Sequence, residues 1–469
     1  MQFLASLHQL VWDVPALALI LGVGIYLTWR TGGAQFVLFS KALKRFVQVF
    51  SSGKQTAGVS PFRALCTALG ATVGTGNIVG VAGAICLGGP GAIFWMWICG
   101  ILGMITKFAE ATLAVHFRIQ EEDGYTGGPM YTITCGMGNR WKPLAYFYSF
   151  FGLIAAFGIG NTAQINAVIS GIHDCAQRFG GQIGDRQNLA FGLILAVLMG
   201  SVLLGGAKRI GATAEMLVPF ASAFYILLCT GVLVKQTYAI DDAFCAIITG
   251  AFSPAAVTGG VLGSAVQALR IGCSRGVFTN EAGMGTASIA HACADVFHPI
   301  EQGLLGIVEV FLDTILLCTL TALVILTSGI SIPYGTDAGS TLTALAFSQI
   351  YGDWVYPALT VLLCCFAVAT ILGWGLYGQQ CVRFLFGTKA GETYALLQTC
   401  AVVVGAVLKT ETIWLVSELL NGLMAIPNLI ALAVLTPELC RLTNEYKKKS
   451  GGNSAEGGNH ADFHQCQPL

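Results

Sequence analysis

Apolar residues run through this chain in long blocks, separated by short polar stretches that hold most of the lysines and arginines. Neither strict alternation nor a one-sided helical stripe dominates; most blocks are apolar all round, which marks helices surrounded by protein or lipid. A helix that crosses a bilayer needs about 20 such residues. Eleven blocks meet that length, at 11–29, 60–87, 91–117, 144–171, 189–206, 211–234, 262–291, 303–329, 354–384, 392–408 and 412–436. Residues 236–261 are also apolar but are broken by Ser253-Pro254 and Gly259-Gly260. They predict a short helix at the outer interface; read as a twelfth span they would invert the charge pattern downstream.

Composition sharpens this picture. Hydrophobic residues make up 55 % of the 469 and charged residues 10 %, against about a quarter charged in soluble domains. Mean hydropathy is +0.71, so the expected class is an all-α integral membrane protein. Net charge is zero, which gives no electrostatic argument for nucleic acid. Cys66, Cys86, Cys99, Cys229, Cys318, Cys364 and Cys365 sit inside apolar blocks and are expected to act as small hydrophobes. The chain has no paired C-x-x-C for zinc, no P-loop and no nucleophile or metalloprotease motif.

Basic residues set the orientation. With the N-terminus outside, 17 of the 24 lysines and arginines fall in inside loops, while Arg178, Arg186, Lys235 and Lys409 fall outside and the 330–353 loop has none. The expectation is N-out and C-in. No lysine or arginine precedes Arg30, so 11–29 reads as a retained span, not a cleaved signal. The polar, glycine-rich end from Lys447 to Leu469 is expected to be disordered.

Two blocks are interrupted by glycine. The first reads ATVGTGNIVGVAGA (71–84), and its Gly74, Gly76 and Gly80 resemble a dinucleotide loop. Such a loop needs a strand before it and a helix after it in a β-α-β unit; here the glycines lie in mid-span. The second reads NEAGMGTA (280–287), with Gly283 and Gly285. The two blocks run in opposite directions and each begins five spans, the pattern of an inverted-repeat transporter. Glycines that only allow close helix packing are the alternative. A helix broken near the midplane frees N–H groups that suit a carboxylate and carbonyls that suit a cation such as Na⁺, and must face a cavity.

The stretches GTGNIVGVAGAICLGGPGAIFWMW (74–97), GGPMY (127–131) and RGVFTNEAGMGTASIAHA (275–292) resemble the alanine-or-glycine:cation symporter family, the bacterial sodium–alanine transporters. The likeness covers about residues 15–440. It departs from the family at Thr132, where a tyrosine is expected, and at Ser288, where a proline is expected. It implies a leucine-transporter-type fold with two inverted five-helix repeats behind one extra N-terminal helix. The corresponding division is 1–55, 56–235 and 236–440, with a tail from 441 to 469. It also implies Na⁺-driven uptake of alanine or glycine by a protein working as a monomer.

On that resemblance Thr75, Gly76 and Asn77 would receive the substrate carboxylate; Asn77 as a cap on the freed backbone is the alternative. Carbonyls of Ala71 and Gly74, with the Thr370 hydroxyl, would hold Na⁺. Phe278, Thr279, Asn280 and Gly283 would form the ammonium half-site. Gln164 would contact the ligand, with Gly160 leaving room one turn away, and Thr370 and Trp374 would wall the pocket. Glu281 lies in the second break, as a functional charge or as a structural tie. Elsewhere Lys107 and Glu110 are expected to neutralise each other, Glu309 and Asp313 at i, i+4 to repel if both are ionised, and His291 and His298 to be solvated.

Overall fold

The computed structural model describes residues 15–51, 58–121, 124–258, 260, 264–336, 339–407 and 411–451. Within them the chain is almost wholly helical, with a single two-stranded antiparallel hairpin, Ile119–Glu121 against Gly124–Thr126. Seven helical runs are long and apolar enough to cross a membrane, or nine if each bent pair counts once. They include Ala92–His116, Asn139–Arg178, Asp185–Leu203, Gly206–Lys235, Pro299–Thr327, Val355–Phe386 and Thr388–Val407. The expected first block appears as the 14-residue helix Leu17–Arg30, and its beginning lies outside the described residues.

Both glycine-rich blocks are broken. Helix Pro61–Thr72 stops at Val73-Gly74, and the chain resumes at Gly76–Gly88 after a bend of 46°. Ser60 starts the first half by accepting the Arg63 N–H, with Pro61 at the first helical position. Helix Ala265–Asn280 ends at Glu281, whose φ is +53°, and the next helix is Thr286–Ala292. Gly283 and Gly285 between them have φ of +95° and +76°, values that favour glycine.

The central helices share one irregularity. Single π-turns interrupt three of them, at Gly76–Gly80, Gly158–Thr162 and Phe311–Leu317. Such turns frequently mark functional sites, because they leave carbonyls without their usual partners. At the second, the Thr162 hydroxyl donates to the Phe157 and Gly158 carbonyls. Val355–Phe386 is a 32-residue helix without such a turn, and it packs against the second.

Two segments differ from expectation, the 330–353 loop and the start of the polar tail, while 236–261 is short, as expected. The 330–353 loop contains a 13-residue helix, Gly339–Tyr351, and its Thr343 hydroxyl donates to the Ile78 carbonyl beside the first break. The 236–261 stretch folds as Ile240–Phe252 and Pro254–Thr258, the longer being about 20 Å, short of a bilayer core. Helix Thr436–Gly451 takes in the start of the segment expected to be disordered. It is held because Leu439 and Leu442 are buried in the main apolar core; residues 452–469 lie outside the described residues.

Candidate functional site

The two breaks meet at one small buried cavity. Its lining comprises Ala71, Thr72, Gly74, Thr75 and Gly76 from the first break, Phe278 and Glu281 from the second, Ile159 and Gln164 beside the 158–162 π-turn, Thr370 and Trp374 from the unbroken helix, and Asn421. Its free volume is about 20 Å³, room for about one water molecule.

The polar wall residues other than Asn421 are held by neighbours. Gln164 donates from Nε2 to the Ile159 carbonyl (3.1 Å) and accepts from the Thr75 hydroxyl on Oε1 (3.2 Å), spanning the π-turn and the first break. The Thr370 hydroxyl donates to the Gly70 carbonyl at 2.9 Å. A Cβ at Gly74 would lie 2.9 Å from Thr370 Oγ1, so only glycine allows this approach. Trp374 donates from Nε1 to Glu281 Oε1 (2.8 Å), and Glu281 Oε2 accepts from the Thr286 hydroxyl (2.6 Å). Glu281 therefore fixes the indole edge and bridges the break in its own helix.

The expected residues divide. Ala71, Gly74, Thr75, Gly76, Gln164, Phe278, Thr370 and Trp374 line the cavity together. Asn77, Thr279, Asn280 and Gly283 stand behind it. Asn77 Oδ1 accepts the Gly74 N–H (2.9 Å), while Nδ2 donates to the Asp313 carbonyl and carboxylate, at 3.1 and 2.7 Å. Its side chain thus caps the break and ties it to the 311–317 π-turn. The Thr279 hydroxyl donates to the Arg275 carbonyl. Asn280 donates to the Thr314 hydroxyl and accepts the Ala282 N–H.

The buried charges pair differently from the sequence expectation. Glu110 does not pair with Lys107; its Oε1 accepts the N–H groups of Gly283 (2.9 Å) and Gly285 (3.0 Å) and the Asn428 amide (2.7 Å). Helix breaking leaves exactly those donors free, and a carboxylate satisfies them strongly. Lys107 instead lies 3.2 Å from Glu309, whose other oxygen is 2.8 Å from His291 Nε2. His291 is fully buried and also contacts Gln302 at 2.7 Å, so it is not solvated. Glu309 and Asp313 face different partners, Lys107 and His291 for the first and Asn77 and Thr314 for the second. Gly160 leaves no room for ligand either: a Cβ there would lie 2.3 Å from Trp374 Cβ, so the gap is filled by tryptophan.

Thr72, Ile159 and Asn421 line the cavity without having been anticipated. Asn421 Oδ1 is buried and accepts no hydrogen bond among the described residues, an exception that calls for a ligand or water. Asparagine in the apolar 412–436 block, at 421 and again at 428, was the available signal.

Comparison with known proteins gives a consistent result. The model of the sodium:alanine symporter family matches residues 1–459. The chain is 40 % identical to the sodium/alanine symporter AgcS of Methanococcus maripaludis, over 96 % of this chain and 98 % of that one. It is 35 % identical to the probable sodium/glutamine symporter GlnT of Bacillus subtilis, over 95 % and 90 %. Among solved structures, MhsT in complex with L-phenylalanine superposes with a TM-score of 0.54 at 15 % identity, over 81 % of this chain and 90 % of that one. That likeness concerns the fold, which is of the leucine-transporter type.

Proposed function

The chain belongs to the sodium:alanine symporter family, and from that premise we propose that it imports alanine or glycine together with Na⁺ by alternating access. The observation that carries the reading is the meeting of two broken helices at a buried polar cavity. Membership makes it a multi-pass membrane carrier of amino acids. In this reading the substrate carboxylate sits on the backbone of Thr75 and Gly76, with Gln164 and Asn421 as side-chain partners. Its ammonium faces the carbonyl end of Ala265–Asn280 and the Glu281 carboxylate.

Carbonyls of Ala71 and Gly74 with the Thr370 hydroxyl take Na⁺, a reading supported by their position on one wall of the cavity. Asn77, Thr279, Asn280 and Gly283 act behind the ligand by fixing the breaks. The narrow cavity below Trp374 suits a small side chain. Cation entry supplies about 2.3 kcal/mol per charge per 100 mV, which drives accumulation without ATP. We assign the protein to the inner membrane as a monomer, N-terminus outside, with two inverted five-helix repeats.

Glu281 in the cavity wall gives one specific basis for a second reading, coupling to H⁺. The test is uptake of labelled alanine by proteoliposomes. Uptake under an inward Na⁺ gradient, lost in Gly76→Val, is expected. Uptake that needs only a pH gradient selects the second reading, and no uptake under either gradient overturns both.

A further inference from the structure

A second, larger cavity of about 490 Å³ lies on the same long helix, outside the site just described. It opens among the 124–126 strand, the turn at 203–208, the residues following helix Thr286–Ala292, and the last turns of Val355–Phe386. These are segments whose flanking basic residues mark the inner side. Leu376, Gln379, Gln380 and Arg383 face it, at i, i+3, i+4 and i+7. Gln380 is six residues beyond Trp374, about 9 Å along the axis.

Two groups in this vestibule lack partners among the described residues. Gln380 is 3 % exposed, and its Oε1 is buried and accepts no hydrogen bond. Arg383 Nε is likewise buried and donates to nothing. The arginine is not loose: a Cβ at Gly391 would lie 2.7 Å from its Cγ, so its stem is pressed against that glycine. An idle acceptor and an idle cationic donor thus stand three residues apart on one helix face. Burial without partners is costly, which makes such a pair a binding feature. The remaining charges, Lys208 against Asp295 and Glu392, leave the lining with two of each sign. A net-neutral ligand carrying both charges matches it.

We propose that the vestibule is a second amino-acid site on the release route, binding the carboxylate at the Arg383 guanidinium and the ammonium at Gln380 Oε1. It rests on the transport reading above. A substrate leaving the central cavity exchanges its contacts for these before reaching bulk water. Na⁺ has no part in this second site, since the cation ligands lie at the other cavity.

Equilibrium dialysis of the purified protein with labelled alanine tests this. Two sites are expected, one Na⁺-dependent and one weaker and Na⁺-independent. Gly76→Val should remove the first and leave the second. Arg383→Gln and Gln380→Leu should each weaken the second by at least about tenfold, as loss of a charge-assisted or buried hydrogen bond implies; Na⁺-dependent binding in the same samples reports that they are folded. Arg383→Lys, which keeps the charge without the fork, should fall between. A single site in the wild type, or unaltered weak binding in Arg383→Gln and Gln380→Leu, overturns the proposal. Failure of uptake under both the Na⁺ and the pH gradient overturns the transport reading instead, since the dialysis counts sites independently of any gradient.

Discussion

Trp374 is held on two sides, and the two contacts do different things. Glu281 accepts its indole N–H, which sets the ring's angle, while Gly160 presses on its root, which sets its depth. Gly160→Ala would therefore drive the ring into the cavity. We expect at least about a tenfold loss in alanine uptake, equivalent to ~1.4 kcal/mol, with protein levels in the membrane unchanged by immunoblot. Gly80→Ala, with nothing within 4 Å of the added carbon, should transport normally. The motif residues around 74–77 and 278–283 were legible because glycines interrupt both blocks and the family resemblance covers them. Which of them line the cavity was not. Asn77 and Gln164 offer the same amide chemistry, and only the three-dimensional register turns one to Asp313 and the other to the cavity.

At the scale of elements, the breaks persist because side chains satisfy several of the groups they free. The second is organised by Glu110, which takes the N–H groups of Gly283 and Gly285. This role was hidden in the sequence, since Glu110 and the glycines it serves are about 170 residues apart. A carboxylate one turn from Lys107 reads as its partner until the tertiary contacts are known. Gly285→Ala tests the geometry: its φ is +76° and the new carbon would lie 2.3 Å from Pro129 Cγ. Left-handed strain alone costs roughly 1–2 kcal/mol. A shortened half-life of the detergent-solubilised protein at fixed temperature is the expected result. The helix at Gly339–Tyr351 was missed for a plainer reason: a segment too short to span gives no strong hydropathy signal.

Across the whole molecule, the apolar blocks marked which stretches enter the membrane and left open how they face one another. His291 shows the difference. Its position near a block end suggested solvent, but it closes a buried chain running Lys107, Glu309, His291, Gln302. That chain joins the Ala92–His116, Thr286–Ala292 and Pro299–Val310 helices through groups that are 0 % exposed. Removing one member leaves a buried charge short of its counter-ion, at about 3–5 kcal/mol. Lys107→Met should accordingly cut the yield of monodisperse protein in size-exclusion chromatography. Lys107→Met with Glu309→Gln should recover most of it.

One helix at the cavity differs in kind from the broken segments it meets there. Val355–Phe386 carries Thr370, Trp374, Gln380 and Arg383 on one continuous helix, whereas the segments that reach the cavity at Gly74, Gly158–Thr162 and Glu281 are interrupted. Thermal bending concentrates where a rod is weakest, so the joints flex and the intact rod serves as the rail they swing along. Stiffening a joint would jam the machine with its parts all correctly made; shortening the rail would leave it nothing to swing on.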